Sequence, residues 1–313
     1  MLNLLATSNQ QSTMNNQQKP SYILFAQHGW SDNSDDIGYL ARELAGDEAV
    51  VVSPSLGLVN TYWRIARLVK KAETIIQKTI TQYPDLPLRL MGHSMGGLIC
   101  LEVLDRNPQW WSKVHSLVVI GSPIGGAHLA RIIDPLGLGI GIARDLGRNR
   151  RPLAEKIAQQ IPTLSLAGEL GNGTDGMVNT EATKFAYARY QVIPGIAHAR
   201  LKRHLDLIPI IQEFWANPAI AGSEPANLGT KIIRQLQQIK GMTDADYQFL
   251  AQSKLVLQLP QGMELRSYSN QFGVKHVFVV GSEGNCLYAG YVGWLHQGNL
   301  KKAIAKISAM INP

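Results

Sequence analysis

The chain has 313 residues, 45% of them hydrophobic and 17% charged, with a mean hydropathy of −0.06. That balance excludes a mostly disordered chain, and 29 glycines and 15 prolines scattered without a period exclude collagen-like and coiled-coil classes. Thirty basic against 23 acidic side chains give a net charge of +7, too modest for a dedicated nucleic-acid binder but compatible with an anionic substrate or an anionic membrane surface.

Residues 1–20 are rich in Gln, Asn, Ser and Thr and read as a disordered leader without the basic and apolar regions of a signal peptide. An alternation of strands and helices follows. Ser21–Gln27 is an apolar strand that runs into the loop HGWSDNSDD. Asp35–Gly46 is a helix with Asp as N-cap and a closing Gly. Ala49–Ser55 is the next strand, and Thr61–Tyr83 is a long amphipathic helix stopped by Pro84. Leu86–Ser94 is a strand that passes directly into the helix MGGLICLEVLDRN. Val114–Ser122, Pro162–Leu170 and Tyr190–Gly195 complete the strands, and HLDLIPIIQEFWAN is a terminal helix. Apolar strands without polar alternation, separated by helices, predict an α/β fold: a mostly parallel sheet covered on both faces.

Two segments break the rhythm. Residues 128–155 are Gly-rich and apolar, then carry Arg144, Arg148, Arg150 and Arg151. An insertion of this length can cover a site, and the alternative is a surface loop with solvated arginines. Residues 217–229 read as a linker. Beyond it, 230–313 contain two helix-like stretches (KIIRQLQQIKG and TDADYQFLAQ), a hairpin turning at Ser282–Asn285 and a final helix. This is expected to be a small α+β appendage of unknown role. Cys100 and Cys286 are too few for a disulfide framework and read as free thiols in a reducing compartment. No apolar run is long enough to span a membrane, so a cytoplasmic location is expected, with peripheral membrane contact open.

The chemistry gathers around Gly92-His93-Ser94-Met95-Gly96, a G-x-S-x-G pentapeptide between a strand and a helix. Such a turn exposes the serine hydroxyl at the carboxyl edge of the sheet, above a helix N-terminus that favours developing negative charge. The alternative is an ordinary Gly-rich strand-to-helix turn. A serine at its free pKa needs a base, and the base needs an orienting group. His93 sits inside the turn and is read as pointing away. His28 belongs to the first loop, His115 to the far edge of the sheet, and His276 lies beyond the linker. His198 follows the last strand at the same edge as Ser94 and is the preferred base. His204, placed inside the next helix, is the second choice.

The orienting acid is expected after the preceding strand. Asp175 lies there between Gly173 and Gly176, and Glu169 and Glu181 are less favoured. Its alternative is a turn-forming Asp beside glycine. A tetrahedral oxyanion needs two N–H donors. The backbone of Met95 is one, and that of Trp30, after His28-Gly29, is the other. The loop GSPIGGA adds Ser122, Pro123 and Ile124, which with His28 and Gly29 are candidate substrate-lining residues.

The pieces HGW, GHSMGG, GSPIGG, DGMV and the histidine after the last strand resemble the α/β-hydrolase superfamily. Within it they resemble bacterial lipases and esterases and the GPI-inositol-deacylase-like (DUF676-like) lipases. The resemblance covers residues 21–216. It departs from those relatives in reading GSPIGGA where G-T-P-x-x-G-S is frequent. It implies Ser94, Asp175 and His198 as a triad, Trp30 and Met95 as oxyanion donors, and a cofactor-free serine hydrolase acting on lipid-like acyl esters. A thioesterase or acyltransferase using the same triad is the alternative, and a non-catalytic binding protein on this fold is a third reading. No metal or nucleotide motif is present: the sequence lacks H-E-x-x-H, paired C-x-x-C and G-x-x-x-x-G-K-[ST]. The cluster Gly137–Gly141 lacks the spacing and the preceding strand of a dinucleotide site.

Overall fold

A computed structural model describes residues 19–57, 64–126, 142–223 and 227–311. The expected leader therefore lies outside the described residues, as does most of the apolar half of the insertion. Two sheets organise the chain. The first has six parallel strands in the order β2-β1-β3-β4-β5-β6. They are β1 (Tyr22–Gln27), β2 (Ala49–Val52), β3 (Leu88–His93), β4 (Val114–Ile120), β5 (Thr163–Glu169) and β6 (Arg189–Pro194). The chain leaves β1 toward β2 on one side and returns to β3 on the other. The switch point between β1 and β3 opens a crevice at the carboxyl ends of these strands.

Both faces of this sheet are buried, and the side chains divide with period two. Phe25, Leu90 and Val119 join the core on one face, while Leu24, Met91 and Val118 join the core on the other. The first face is covered by α2 (Ile65–Gln82) and α3 (Met95–Arg106), and the second by α1 (Asp35–Ala45) and α8 (Leu207–Ala216). In α2 the buried positions Ile65, Leu68, Val69, Ala72, Ile76 and Ile80 follow the helical repeat. The shorter helices α4 (Ile142–Leu146), α5 (Arg151–Ala158), α6 (Thr180–Thr183) and α7 (His198–Leu201) lie in the connections that form the crevice and its surroundings.

Residues 228–311 build the second region. Its antiparallel sheet has the order β7-β11-β10-β9-β8. The strands are β7 (Met242–Asp244), β8 (Lys254–Gln258), β9 (Glu264–Ser269), β10 (Lys275–Val280) and β11 (Cys286–Val292). Helices α9 (Leu228–Gln237) and α10 (Gln297–Ile311) contribute Ile232, Leu236, Leu300 and Ile307 to its core, beside Val277 and Val279 of β10. Among the described residues, no helix is long and apolar enough to cross a membrane.

Several expectations are corrected. Helix α1 begins after Ser34, not with an N-cap Asp, because Asp35 and Asp36 already belong to its first turn. TDADYQFLAQ is not a helix. It contributes to β7, which pairs with β11, and then to a single 3-10 turn at Leu250–Gln252. Strands β8 and β9 appear where no strand was expected. The proposed insertion ends inside α5, so its last residues are a packed helix with Ala154 and Ile157 fully buried. Arg150 and Arg151 are not solvated: they are 3% and 2% exposed and paired with Glu102 and Asp244. Arg148 is exposed, as the surface-loop alternative expects, while Arg150 and Arg151 depart from it because their acidic partners are 48 and 93 positions away.

Candidate active site

The turn between β3 and α3 is imposed by contacts that exclude side chains. A Cβ on Gly96 would sit 2.1 Å from the carbonyl oxygen of Gln27, and one on Gly92 would sit 2.4 Å from the backbone of Gly96 and Gly97. Only glycine permits β1, β3 and α3 to approach this closely. Ser94 between them has φ 55°, a left-handed conformation that costs a non-glycine residue on the order of 1–3 kcal/mol. The surroundings hold it there: its N–H donates to Ile120 of β4 at 2.8 Å, and its carbonyl accepts from Gly97 at 3.1 Å. The side chain is half-buried at the start of α3, and Met95 supplies the first helical backbone N–H.

Ser94 and His198 line one cavity of about 210 Å³. Gly29, Trp30, Pro123, Leu146 and Met177 form much of its wall, and Asp32 and Lys202 add an ion pair of 2.7 Å. His198 opens α7 and is 4% exposed. Its Nδ1 lies 2.7 Å from Oδ2 of Asp175, and its backbone N–H donates to the Asp175 carbonyl at 3.0 Å. Asp175 is 2% exposed. Its other oxygen accepts the backbone N–H groups of Met177 and Val178 at 3.0 and 2.7 Å. The carboxylate is therefore fixed by two bonds from its own turn while its remaining oxygen faces the imidazole. With Nδ1 engaged by a carboxylate, the neutral ring carries its proton there and leaves Nε2 as a base.

Two further histidines, His93 of the turn and His28 of the first loop, serve as supports. The Nε2 of His93 lies 3.0 Å from the carbonyl oxygen of His198, and the two rings are 4.7 Å apart. Burial, and then the neighbouring His198, hold the His93 pKa well below the ordinary histidine range, so the ring is neutral and donates from Nε2. The expectation that His93 points away is corrected: it reaches across the sheet edge to α7. His28 is completely buried, with Nε2 accepting the N–H of Leu56 and Nδ1 donating to the carbonyl of Gly29, both at 2.9 Å. Desolvation lowers its pKa, which favours the neutral tautomer these bonds require. His28 therefore props the loop that carries Trp30.

The other candidates separate cleanly. Gly29 and Pro123 line the cavity as expected. His28, Ser122 and Ile124 do not, because all three are fully buried behind its wall. Ser122 packs beneath α3, with its hydroxyl 3.5 Å from the Gly92 carbonyl, and Ile124 belongs to the core. His204 lies between α7 and α8 rather than inside a helix, and its Nδ1 is 3.7 Å from Asp206. Glu169 accepts backbone N–H groups from Gly171 and Gly173, and the carboxylate at His198 Nδ1 is that of Asp175. His115 opens β4 at the opposite edge, and His276 lies in β10. Sequence reasoning missed Met177, Leu146 and Lys202 as cavity walls. Met177 follows two residues after Asp175, which is the signal that could have placed it.

Among the described residues, no group of three or more His, Cys, Asp or Glu side chains is arranged to hold a metal ion. Both cysteines are free thiols, each pushed up to about 12, by burial first in both cases.

The sequence profile of the serine aminopeptidase (S33) family matches residues 18–159. Mouse monoglyceride lipase is 30% identical over 122 residues, which are 35% of this chain and 39% of that enzyme, so the chain spans well under half of that relative's length. Among solved structures, the propeptide form of Bacillus licheniformis lipase BlEst2 aligns with 86% of this chain and 64% of its own, at 16% identity and a TM-score of 0.51. The mature form aligns with 63% of this chain and 94% of its own, at 18% identity and a TM-score of 0.48. At 16% identity the likeness to the propeptide form is one of fold alone.

Proposed function

We propose that this chain, an α/β-hydrolase-fold protein resembling lipases and esterases, hydrolyses carboxylic esters through an acyl-enzyme on Ser94. The observation that carries the reading is one juxtaposition. A serine held at positive φ shares a cavity with a histidine whose Nδ1 is 2.7 Å from a buried aspartate. That arrangement supplies a nucleophile, a base and an orienting acid, which is what acyl transfer at neutral pH requires.

In the proposed cycle, Ser94 Oγ attacks the ester carbonyl while His198 Nε2 takes its proton. Asp175 holds the imidazolium that forms. The carbonyl oxygen becomes an oxyanion and is stabilised by the backbone N–H groups of Trp30 and Met95. As the tetrahedral intermediate collapses, the C–O bond to the alcohol breaks and His198 returns its proton to the leaving oxygen. Water then attacks the acyl-enzyme while His198 takes one of its protons; as the second tetrahedral intermediate collapses, the C–O bond to Ser94 breaks, His198 returns the proton to Ser94 Oγ, and the carboxylic acid leaves.

The cavity also suggests a size limit. At about 210 Å³ it falls below the roughly 300–1,000 Å³ common for drug-sized ligands. Trp30, Pro123, Leu146 and Met177 make its wall apolar. A short or medium acyl chain suits it better than a long one, because surplus methylenes would remain in water and contribute no burial energy. The test is hydrolysis of p-nitrophenyl acetate, butyrate, octanoate and palmitate by the full chain. The expected profile favours butyrate or octanoate over palmitate by at least about ten-fold in kcat/KM, equivalent to about 1.4 kcal/mol. No hydrolysis of any ester would overturn the activity, and a palmitate preference would overturn the size limit.

A further inference from the structure

The loop that carries Asp175 is shaped by residues of unusual backbone conformation. Gly171, Asn172 and Gly173 have φ of 122°, 57° and 75°, and Thr174 pairs with Asn179 in an isolated antiparallel bridge. Asp175 hangs in the small closed turn between those two residues. Much of what fixes the turn from outside comes from the antiparallel sheet region, 60 or more positions later in the chain.

Three contacts meet the loop. Tyr247 donates its backbone N–H to the carbonyl of Asn172 at 3.2 Å. Its ring closes over Gly173 so tightly that a Cβ there would lie 2.7 Å from ring atom Cε1. The Asn179 side chain, 4% exposed, donates from Nδ2 to the backbone carbonyl of Asp244 at 2.8 Å. Both ends of the turn are therefore gripped by β7 and the residues that follow it.

Asp244 is itself anchored on all sides. Its Oδ2 is 2.6 Å from Arg151 and its Oδ1 accepts the Tyr288 hydroxyl at 2.9 Å. Arg151 goes on to donate to the carbonyls of Lys184 and Glu181, at the end of and within α6, the helix that begins after Asn179. The ion pair is buried, with side chains 3% and 2% exposed. Burial opposes the charge on Arg151, but the adjacent Asp244 outweighs it and holds the guanidinium protonated. A fixed, low-dielectric network of this kind transmits position, because displacing any member leaves another unsatisfied.

We infer that the antiparallel sheet region acts as a clamp on the acid loop, with Asn179, Tyr247 and Asp244 as positioning residues for the Asp175–His198 pair. The inference rests on the proposed role of that pair. The clamp acts on geometry and touches no substrate. Its loss therefore lowers the rate of the chemical steps and leaves substrate binding nearly intact.

The test uses the full chain and two variants. Asn179→Asp keeps the shape of the side chain but removes the donor to the Asp244 carbonyl. Tyr247→Ala removes the ring from a half-buried position and is the milder perturbation for folding. Two quantities are read: kcat and KM for p-nitrophenyl butyrate, and the low-field proton resonance of the His198 Nδ1–H. Each variant is expected to lose roughly ten-fold or more in kcat with KM within about two-fold, and to lose or broaden the resonance. Retention of both kcat and the resonance in either folded variant would overturn the clamp. The resonance is independent of ester turnover. Were the wild type to show it and hydrolyse nothing, the esterase reading would fail. The clamp would then stand or fall on whether the variants keep the resonance.

Discussion

The turn at Ser94 and the loop at Asp175 hold their side chains by opposite means. Ser94 is set by neighbours in sequence: Gly92 and Gly96 allow the close approach of β1 and α3, and any side chain there would collide with backbone. Asp175 is bound by its own turn, at Met177 and Val178, but that turn is held by distant groups, from Asn179 through Asp244 to Arg151. Close backbone packing at the two glycines, with the Ser94 N–H bound to Ile120 of β4, fixes the first. The second depends on a buried polar network that joins Arg151, Asn179, Asp244 and Tyr288 across the two sheet regions. A site can thus be half local and half assembled, and the two halves should respond differently to substitution.

The largest effect is expected within the acid loop itself. Asp175→Asn keeps the size of the side chain but removes the charge proposed to stabilise the imidazolium. Steady-state kinetics should show kcat lowered by about 10⁴-fold. A loss below ten-fold would mean that Asp175 is not the orienting acid.

Next comes the network behind that loop. Arg151→Met leaves Asp244 buried without its cation and should cost about 3–5 kcal/mol in denaturant unfolding. Arg150→Met should cost less, because its partner Glu102 is 15% exposed and can rehydrate. Equal losses would contradict the distinction between the two arginines. The local half is tested by Gly96→Ala, whose added methyl must displace the β1 backbone. Thermal unfolding should show about 1–3 kcal/mol of destabilisation, with a raised KM if the turn shifts.

The smallest effect concerns His93. Its folded pKa lies well below its unfolded value, so the unfolded state binds the extra proton. Stability should therefore be full above the unfolded value of about 6.5 and decline as pH falls below it. His93→Gln keeps a donor for the His198 carbonyl and removes the titration. Its melting temperature should fall less between pH 7.5 and pH 5.0 than that of the wild type. An identical fall in both would show that His93 contributes nothing to the acid lability.

How much of this was legible in the sequence follows the same division. The parallel sheet was readable because its strands are unbroken apolar runs bounded by helices. The elbow was readable because its requirements lie within five residues. The order of Ser94, Asp175 and His198 could be followed because each stands just after a strand, at one edge of the sheet. The supports could not. His93 and His28 act through backbone groups 105 and 28 positions away, which no local pattern marks. Arg150 and Arg151 resemble any basic loop until their acids are seen. The antiparallel strands were harder still: β8 is an exposed edge strand and β7 has three residues, so neither shows a clear apolar period.

The central claim, an activated serine at position 94, is tested most directly by intact-mass spectrometry after exposure to a fluorophosphonate probe. The wild type should gain a single adduct mapped to Ser94. Ser94→Ala should gain none, and His198→Ala should label at a rate lower by at least about 10³-fold. A folded wild type that stays unlabelled, or an adduct that persists in Ser94→Ala, would contradict the account.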